Sequence, residues 1–268
     1  MSPRLMTRMS GAGNTFLIWN AFSAEVSKDA RTGLTRLLCD SFTGFYTDGM
    51  IFLEKDPSGK NDFVWDFYNS DGSGAEMCGN AARCAALYYR HRVSTEASNK
   101  VQFLTRAGQI QAEILDYQFV EILMPKLKEP GKFIDIQKGK KKEELFFINT
   151  GVPHLVIEGE PDLELAQKLR RSPELGESGA NVTFANEITP GEIEAVTFER
   201  GVENFTLACG TGAVAAAAFS MVKNPLLRQH AVEMPGGSLR VEWKSDTQAL
   251  LSGPTQFEFD LQFPEDTL

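Results

Sequence analysis

Two short segments of this 268-residue chain read alike, and their likeness constrains the fold more than any other feature. Around Cys78 the sequence runs Met77-Cys78-Gly79-Asn80-Ala81-Ala82-Arg83-Cys84-Ala85-Ala86. Around Cys209 it runs Ala208-Cys209-Gly210-Thr211-Gly212-Ala213-Val214-Ala215-Ala216-Ala217. Each places Cys-Gly-(Asn/Thr) ahead of an Ala-rich stretch, and alanine has the highest intrinsic helix propensity, so each predicts a helix opening just after the cysteine. Cys209 stands 131 residues after Cys78, close to half the chain. The flanks repeat as well. Residues 63–69 read as a strand, with alternation clearest at Trp65-Asp66-Phe67, and residues 195–200 alternate in the same way. Asn69 and Arg200 each precede their cysteine by nine residues. Thr105-Arg106-Ala107-Gly108 corresponds to Met234-Pro235-Gly236-Gly237, and Gly11-Ala12-Gly13-Asn14 to Gly151-Val152-Pro153-His154. Four matches in one order point to duplication. Each half is expected to hold several short strands and one buried helix, with a cleft between the halves for a ligand.

Composition narrows the class. The chain is 42 % apolar and 24 % charged with a net charge of −9, ordinary for a globular protein with a substantial core. An acidic balance without a basic block argues against nucleic-acid binding. The first residues lack the apolar stretch of a signal peptide. Residues 205–222 carry no charge and are long enough to suggest a membrane span, but Ala, Gly, Thr and Cys make the run weakly hydrophobic. A buried helix is the expectation there, and the chain reads as cytosolic, with no membrane partner. The charge cluster at 139–144 reads as a solvated hairpin tip.

The four cysteines, at 39, 78, 84 and 209, form no C-x-x-C pair and have no close histidine, which argues against zinc or thioredoxin-like chemistry. Cys39 and Cys84 have no counterpart in the other half. Cys78 and Cys209 sit where a helix begins, where unpaired backbone N–H groups and the macrodipole favour negative charge. That setting lowers a thiol pKa from its usual value of about 8.5. The same N–H groups suit a substrate carboxylate, and Gly79, Gly210 and Gly212 leave the backbone open to close approach. Two such thiols suit one reaction in particular: one thiolate removes a proton from carbon while the other thiol donates to the opposite face, inverting the centre. Neither a metal nor a pyridoxal cofactor is implied. Two inert packing cysteines inherited by duplication are the alternative on spacing alone.

The motifs resemble those of the diaminopimelate epimerase family and, more broadly, the cofactor-independent amino-acid racemases and epimerases. The resemblance runs over nearly the whole chain, through Gly11-x-Gly13-Asn14-x-Phe16, Asp48-Gly49, Asn69-x-Asp71-Gly72-Ser73, Glu76-Met-Cys-Gly-Asn80, Gly151-x-Pro153-His154, Asn181-Val182, Glu199-Arg200-Gly201, Leu207-Ala-Cys-Gly-Thr-Gly212 and Pro235-Gly-Gly237. It implies an α+β fold of two similar pseudo-symmetric domains, each a mixed β-sheet curled around a central α-helix. Residues 1–118 with 255–268 would carry Cys78, and residues 119–254 would carry Cys209. It also implies interconversion of LL- and meso-diaminopimelate in lysine and peptidoglycan synthesis without a cofactor, and a homodimer. By the same likeness Cys78 and Cys209 are the acid/base pair, and Gly79, Asn80, Gly210 and Thr211 supply donors to the reacting carboxylate. Asn14, Asn69, Asn181 and Arg200 hold substrate, chiefly its distal end. Glu199 and His154 lie near the reacting centre, His154 either as a support or as a direct participant. The planar fork of an arginine and the mixed donor–acceptor amide of asparagine suit an amino-acid end.

The chain departs from the family pattern at several places. Ser10 and Thr15 replace a His and an Asp, Ala81 replaces a Gly, and the stretch from Glu199 to Cys209 is one residue longer than usual. Val152 stands where a substrate-binding Asn is usual, removing a hydrogen bond to a charged group worth about 1.5–3 kcal/mol. These departures keep open a racemase of lysine, ornithine or histidine with the same mechanism, and a non-catalytic binding protein of the same fold. No Gly-x-Ser-x-Gly elbow and no phosphate-binding glycine loop is present.

Overall fold

Alternation of buried and exposed side chains marks several of this molecule's strands, while others are buried almost continuously. A computed structural model describes residues 4–138 and 141–263. Its described residues form a mixed β-sheet architecture with four α-helices, an α+β fold. Strands such as Lys100–Thr105 bury Val101, Phe103 and Thr105, and Gly108–Asp116 buries Ile110, Ala112 and Ile114, the period-two pattern of a half-buried sheet. The chain divides into two compact units, Met1–Ile122 with Gly253–Leu268, and Leu123–Ser252.

The first unit opens with β1 (Arg4–Gly11) and β2 (Asn14–Asn20), an antiparallel hairpin. Helix α1 (Lys28–Cys39) buries Arg31, Thr35 and Leu38, one helical face. Strands β3 (Gly49–Glu54), β4 (Phe63–Asn69) and β5 (Gly74–Ala75) follow. Next come α2 (Gly79–Arg92), β6 (Lys100–Thr105), β7 (Gly108–Asp116) and β8 (Phe119–Leu123). β2 and β3 pair in parallel, β3 and β4 antiparallel, β4 and β6 in parallel, and β6 and β7 antiparallel. Helix α2 packs against β1, β2, β3, β6 and β7 and is buried continuously from Asn80 to Tyr88. Small residues on every side are what such a position demands, and the Ala-rich run supplies them.

In the second unit β9 (Lys132–Lys138) and β10 (Lys141–Asn149) pair antiparallel. Of the charge cluster at 139–144, residues 139 and 140 lie outside the described residues. After β11 (Pro153–Ile157), helix α3 (Leu163–Arg170) starts at Asp162, whose carboxylate accepts the Leu165 N–H at 3.0 Å. β12 (Asn181–Thr189), β13 (Glu192–Glu199) and β14 (Asn204–Phe205) lead into α4 (Gly210–Lys223), and β15 (Gln229–Met234) and β16 (Gly237–Ser245) follow. β11 and β12 pair in parallel, β12 and β13 antiparallel, β13 and β15 in parallel, and β15 and β16 antiparallel. The uncharged run at 205–222 is chiefly the buried helix α4. No helix among the described residues is long and apolar enough to cross a membrane. The last strand, β17 (Gln248–Phe263), pairs with β16 through residues up to Ser252 and with β1 from Thr255 onward.

Candidate active site

Each of the two paired cysteines occupies the N-cap of a 14-residue buried helix, the position the sequence predicts. Cys78 precedes α2 in an extended conformation (φ −142°, ψ 120°), and its carbonyl accepts the Ala82 N–H at 2.9 Å. Its side chain is half-buried. Beside it the β1–β2 turn lies close to the helix because Gly11 has no side chain. A Cβ there would stand 2.9 Å from the Asn80 carbonyl oxygen and 3.0 Å from Cys84 Sγ. This approach brings Asn14 and Asn80 together: Asn80 Nδ2 donates to Asn14 Oδ1 at 2.5 Å. Asn80 Oδ1 in turn accepts from Arg83 Nη2 at 2.8 Å.

Asn69, at the end of β4, is exposed and donates through Nδ2 to Ser73 Oγ at 3.0 Å. Thr15 binds Asp48 Oδ2 through its backbone N–H at 2.7 Å and its hydroxyl at 3.3 Å. The unmatched cysteines are buried in a different way. Burial pushes the Cys84 thiol up to about 12 and the Cys39 thiol up to about 11.

In the second unit Cys209 precedes α4 (φ −127°, ψ 108°) and its carbonyl accepts the Ala213 N–H at 2.9 Å. Its Sγ lies 3.3 Å from Thr211 Oγ1, and Thr211 Oγ1 lies 3.0 Å from His154 Nε2. His154 is fully buried, with Nδ1 2.9 Å from Thr183 Oγ1. Thr183 Oγ1 is 3.1 Å from Thr197 Oγ1. Asn181 decides the histidine tautomer. Its Oδ1 accepts the Arg200 backbone N–H at 2.8 Å, so the end facing His154 Nε2, 3.2 Å away, is the donating NH2. Nε2 is therefore the acceptor and Nδ1 carries the hydrogen, which it gives to Thr183. Desolvation, with a smaller contribution from Arg200, pushes the His154 pKa down to about 3, so the ring is neutral through the physiological range.

Thr211 thus has one hydroxyl hydrogen between two neighbours. It donates to His154 while accepting from a Cys209 thiol, or it turns to donate to a thiolate. Helix α4 reaches this position because Gly212 is bare: a Cβ would sit 2.3 Å from Thr197 Oγ1. Glu199 accepts from Thr206 Oγ1 at 2.5 Å, and Arg200 Nη1 donates to the Ser178 carbonyl at 3.3 Å. Val152, half-buried, offers its carbonyl to the Thr150 N–H at 3.1 Å. Thr150 Oγ1 holds the Thr211 carbonyl at 2.9 Å.

The structure therefore gathers Asn14, Gly79, Asn80 and Cys78 at the start of α2, and His154, Asn181, Gly210, Thr211 and Cys209 at the start of α4. Asn69 ends β4 in the first unit, and in the second Glu199 ends β13 with Arg200 directly after it. Three residues not singled out from sequence belong with them: Arg83 behind Asn80, and Thr183 and Thr197 behind His154. A signal for the threonines was present, since Asn181/Thr183 and Thr197/Glu199 are polar pairs two residues apart that alternate with Val182, Phe184, Val196 and Phe198. Among the described residues no group of three or more His, Cys, Asp or Glu is placed to hold a metal ion.

Known proteins can be set beside this geometry. A family model described as diaminopimelate epimerase matches residues 6–126 and 146–258. The diaminopimelate epimerase of Aquifex aeolicus (strain VF5) is 35 % identical, covering 97 % of this chain and 98 % of its own length. Among solved structures, a phenazine biosynthesis protein of the PhzF family from Enterococcus faecalis superposes with a TM-score of 0.74 at 13 % identity, covering 98 % of this chain and all of its own. A probable proline racemase from Agrobacterium radiobacter K84 superposes with a TM-score of 0.71 at 16 % identity, covering 98 % of this chain and 93 % of its own. The structural likenesses place the fold, and the sequence match places the chain within it: this protein belongs to the diaminopimelate epimerase family.

Proposed function

We propose that the chain is a cofactor-independent epimerase that inverts the α-carbon of LL-diaminopimelate to give the meso isomer. The observation that carries this reading is that both Cys78 and Cys209 are N-cap residues of buried helices. One thiolate takes the α-proton, the electron pair is delocalised into the carboxylate as an enediolate-like carbanion, and the other thiol returns a proton to the opposite face. The helix starts supply N–H donors for the carboxylate, whose negative charge grows as the proton leaves. Each cysteine must act as base in one direction and as acid in the other. The rotatable Thr211 hydroxyl meets that need at Cys209, accepting from the thiol and donating to the thiolate. Held by Thr183 and Asn181 and neutral, His154 serves as a support for Thr211 and not as a proton carrier.

We further propose that the units are two copies of one design, each a mixed sheet around a central helix. The recurrence of pairings supports this: β2–β3, β3–β4, β4–β6 and β6–β7 repeat the orientations of β11–β12, β12–β13, β13–β15 and β15–β16.

A second reading keeps the chemistry and changes the substrate to another amino acid such as lysine, ornithine or histidine. Val152, an apolar residue beside the Thr150–Thr211 contact, is the observation that favours it. Incubation of the protein with LL-diaminopimelate in heavy water, followed by proton NMR, separates the two. Loss of the α-proton signal with appearance of the meso isomer is expected. Retention of that signal, alongside exchange on another amino acid, would assign the second reading.

A further inference from the structure

Arg83 is a buried cation that no carboxylate pairs with among the described residues, and it is 0 % exposed. Its Nη2 donates to Asn80 Oδ1 at 2.8 Å, its Nη1 reaches the Gly79 carbonyl at 3.5 Å, and its Nε has no partner among the described residues. The ionisable groups beside it are the thiols of Cys84 and Cys78. Burying a guanidinium on these terms costs stability that an apolar side chain would not. What the charge contributes is direction. A guanidinium can only donate, so the Asn80 atom facing it is the oxygen. The other end of Asn80, its NH2, therefore faces Asn14, and the Asn14 atom that receives it is again the oxygen, at 2.5 Å. Asn14, half-exposed at the β1–β2 turn, is left with its NH2 as the free end of the amide.

We infer that Arg83 is a positioning residue that commits the start of α2 to a carboxylate, by obliging Asn14, through Asn80, to offer an N–H donor and not an acceptor. The helix N–H groups, the Asn14 NH2 and the cation behind them are all donors or positive, and both amide oxygens in this chain of contacts are already engaged by a donor. The inference rests on the proposed function only in taking the start of α2 as a substrate site.

The test compares two alkylating probes at Cys78, iodoacetate and iodoacetamide, with rates read by peptide mass spectrometry. The same thiolate attacks the methylene carbon of each and expels iodide, so its reactivity cancels in the ratio of rates, and the ratio reports how well the site receives a carboxylate. Arg83→Met is expected to lower the iodoacetate-to-iodoacetamide ratio about tenfold, and Arg83→Lys, a donor-only cation, to keep it within about twofold of the unmodified protein. A merely structural role would lower the melting temperature of Arg83→Met and leave the ratio alone. The inference expects the melting temperature to hold or rise while the ratio falls. Asn14→Ala, on a half-exposed turn, removes the offered donor without adding a charge and should lower the ratio severalfold, which keeps the test decisive if Arg83→Met does not fold. An unchanged ratio in folded Arg83→Met, or in Asn14→Ala, would overturn the inference. Neither readout uses turnover, so absence of α-proton exchange in the unmodified protein would count against the epimerase reading alone.

Discussion

The starts of α2 and α4 present the same residue, cysteine, at the same helical position with different polar support. Behind Cys78 the support is amide and cation: Asn80, Asn14 and Arg83, held in one donor–acceptor sense by a guanidinium that can only donate. Behind Cys209 it is hydroxyl and imidazole: Thr211, His154, Thr183 and Thr197, with a rotatable hydroxyl next to the sulfur. One setting has a fixed polarity and the other can reverse its hydrogen bond. The two motifs thus share a backbone device, a cysteine at the N-cap position of a buried helix, while their side-chain surroundings are distinct.

The largest effect expected from breaking this pair is on inversion itself. Replacing Cys78 or Cys209 with Ala removes one of the two proton carriers and should lower the rate of epimerisation by about 10³-fold or more, measured as meso isomer formed. If only one variant loses activity, the two starts are not partners in one reaction. A second comparison separates these thiols from the two that lack counterparts. With Cys39 and Cys84 held up to about 11 and about 12 by burial, their thiolate fractions at pH 8 fall two to three orders of magnitude, on the order of 10²–10³, below that of a free cysteine. Iodoacetamide applied to the folded protein should therefore label Cys78 and spare Cys39 and Cys84, as peptide mapping would show.

A smaller effect concerns Gly212, which lets α4 approach Thr197. Gly212→Ala forces a Cβ to within 2.3 Å of the Thr197 oxygen, and overpacking of this kind costs about 1–3 kcal/mol, read as a drop in urea midpoint. The double variant with Thr197→Ala should recover part of it. The smallest effect sharpens the contrast through pH. Because His154 titrates at about 3 in the folded chain against about 6.5 when unfolded, the unfolded state binds the extra proton between those values. Its contribution is fully present above pH 6.5 and is lost as pH falls toward 3. At pH 5.5 the loss is about 1.4 kcal/mol relative to pH 7.5. His154→Gln should flatten that slope in denaturation measured at the two pH values.

Much of this arrangement was legible in the sequence, for identifiable reasons. The helices after Cys78 and Cys209, and the strand at residues 63–69, follow from alanine propensity and from alternation, which are local properties. The roles of Asn181 and His154 were less legible, because a hydrogen-bond direction depends on partners from other strands. Asn181 is fixed by the Arg200 backbone 19 residues away, and His154 by Asn181, 27 residues away. The burial of Arg83 is not legible in the sequence, because a basic residue on a helix ordinarily faces solvent and nothing local marks this one as buried. Its consequence for Asn14 runs through a contact that spans 66 residues of sequence and depends on the bare backbone of Gly11.

The central claim is that two different thiols act on one carbon, and the isotope content of the product tests it most directly. The α-position of meso product formed at early times in heavy water should be fully deuterated while the remaining LL substrate keeps its proton. The acceptor of the substrate's proton and the donor of the product's deuteron are then separate groups. Transfer of the original proton into the product would mean that a single base serves both faces, and would contradict the account.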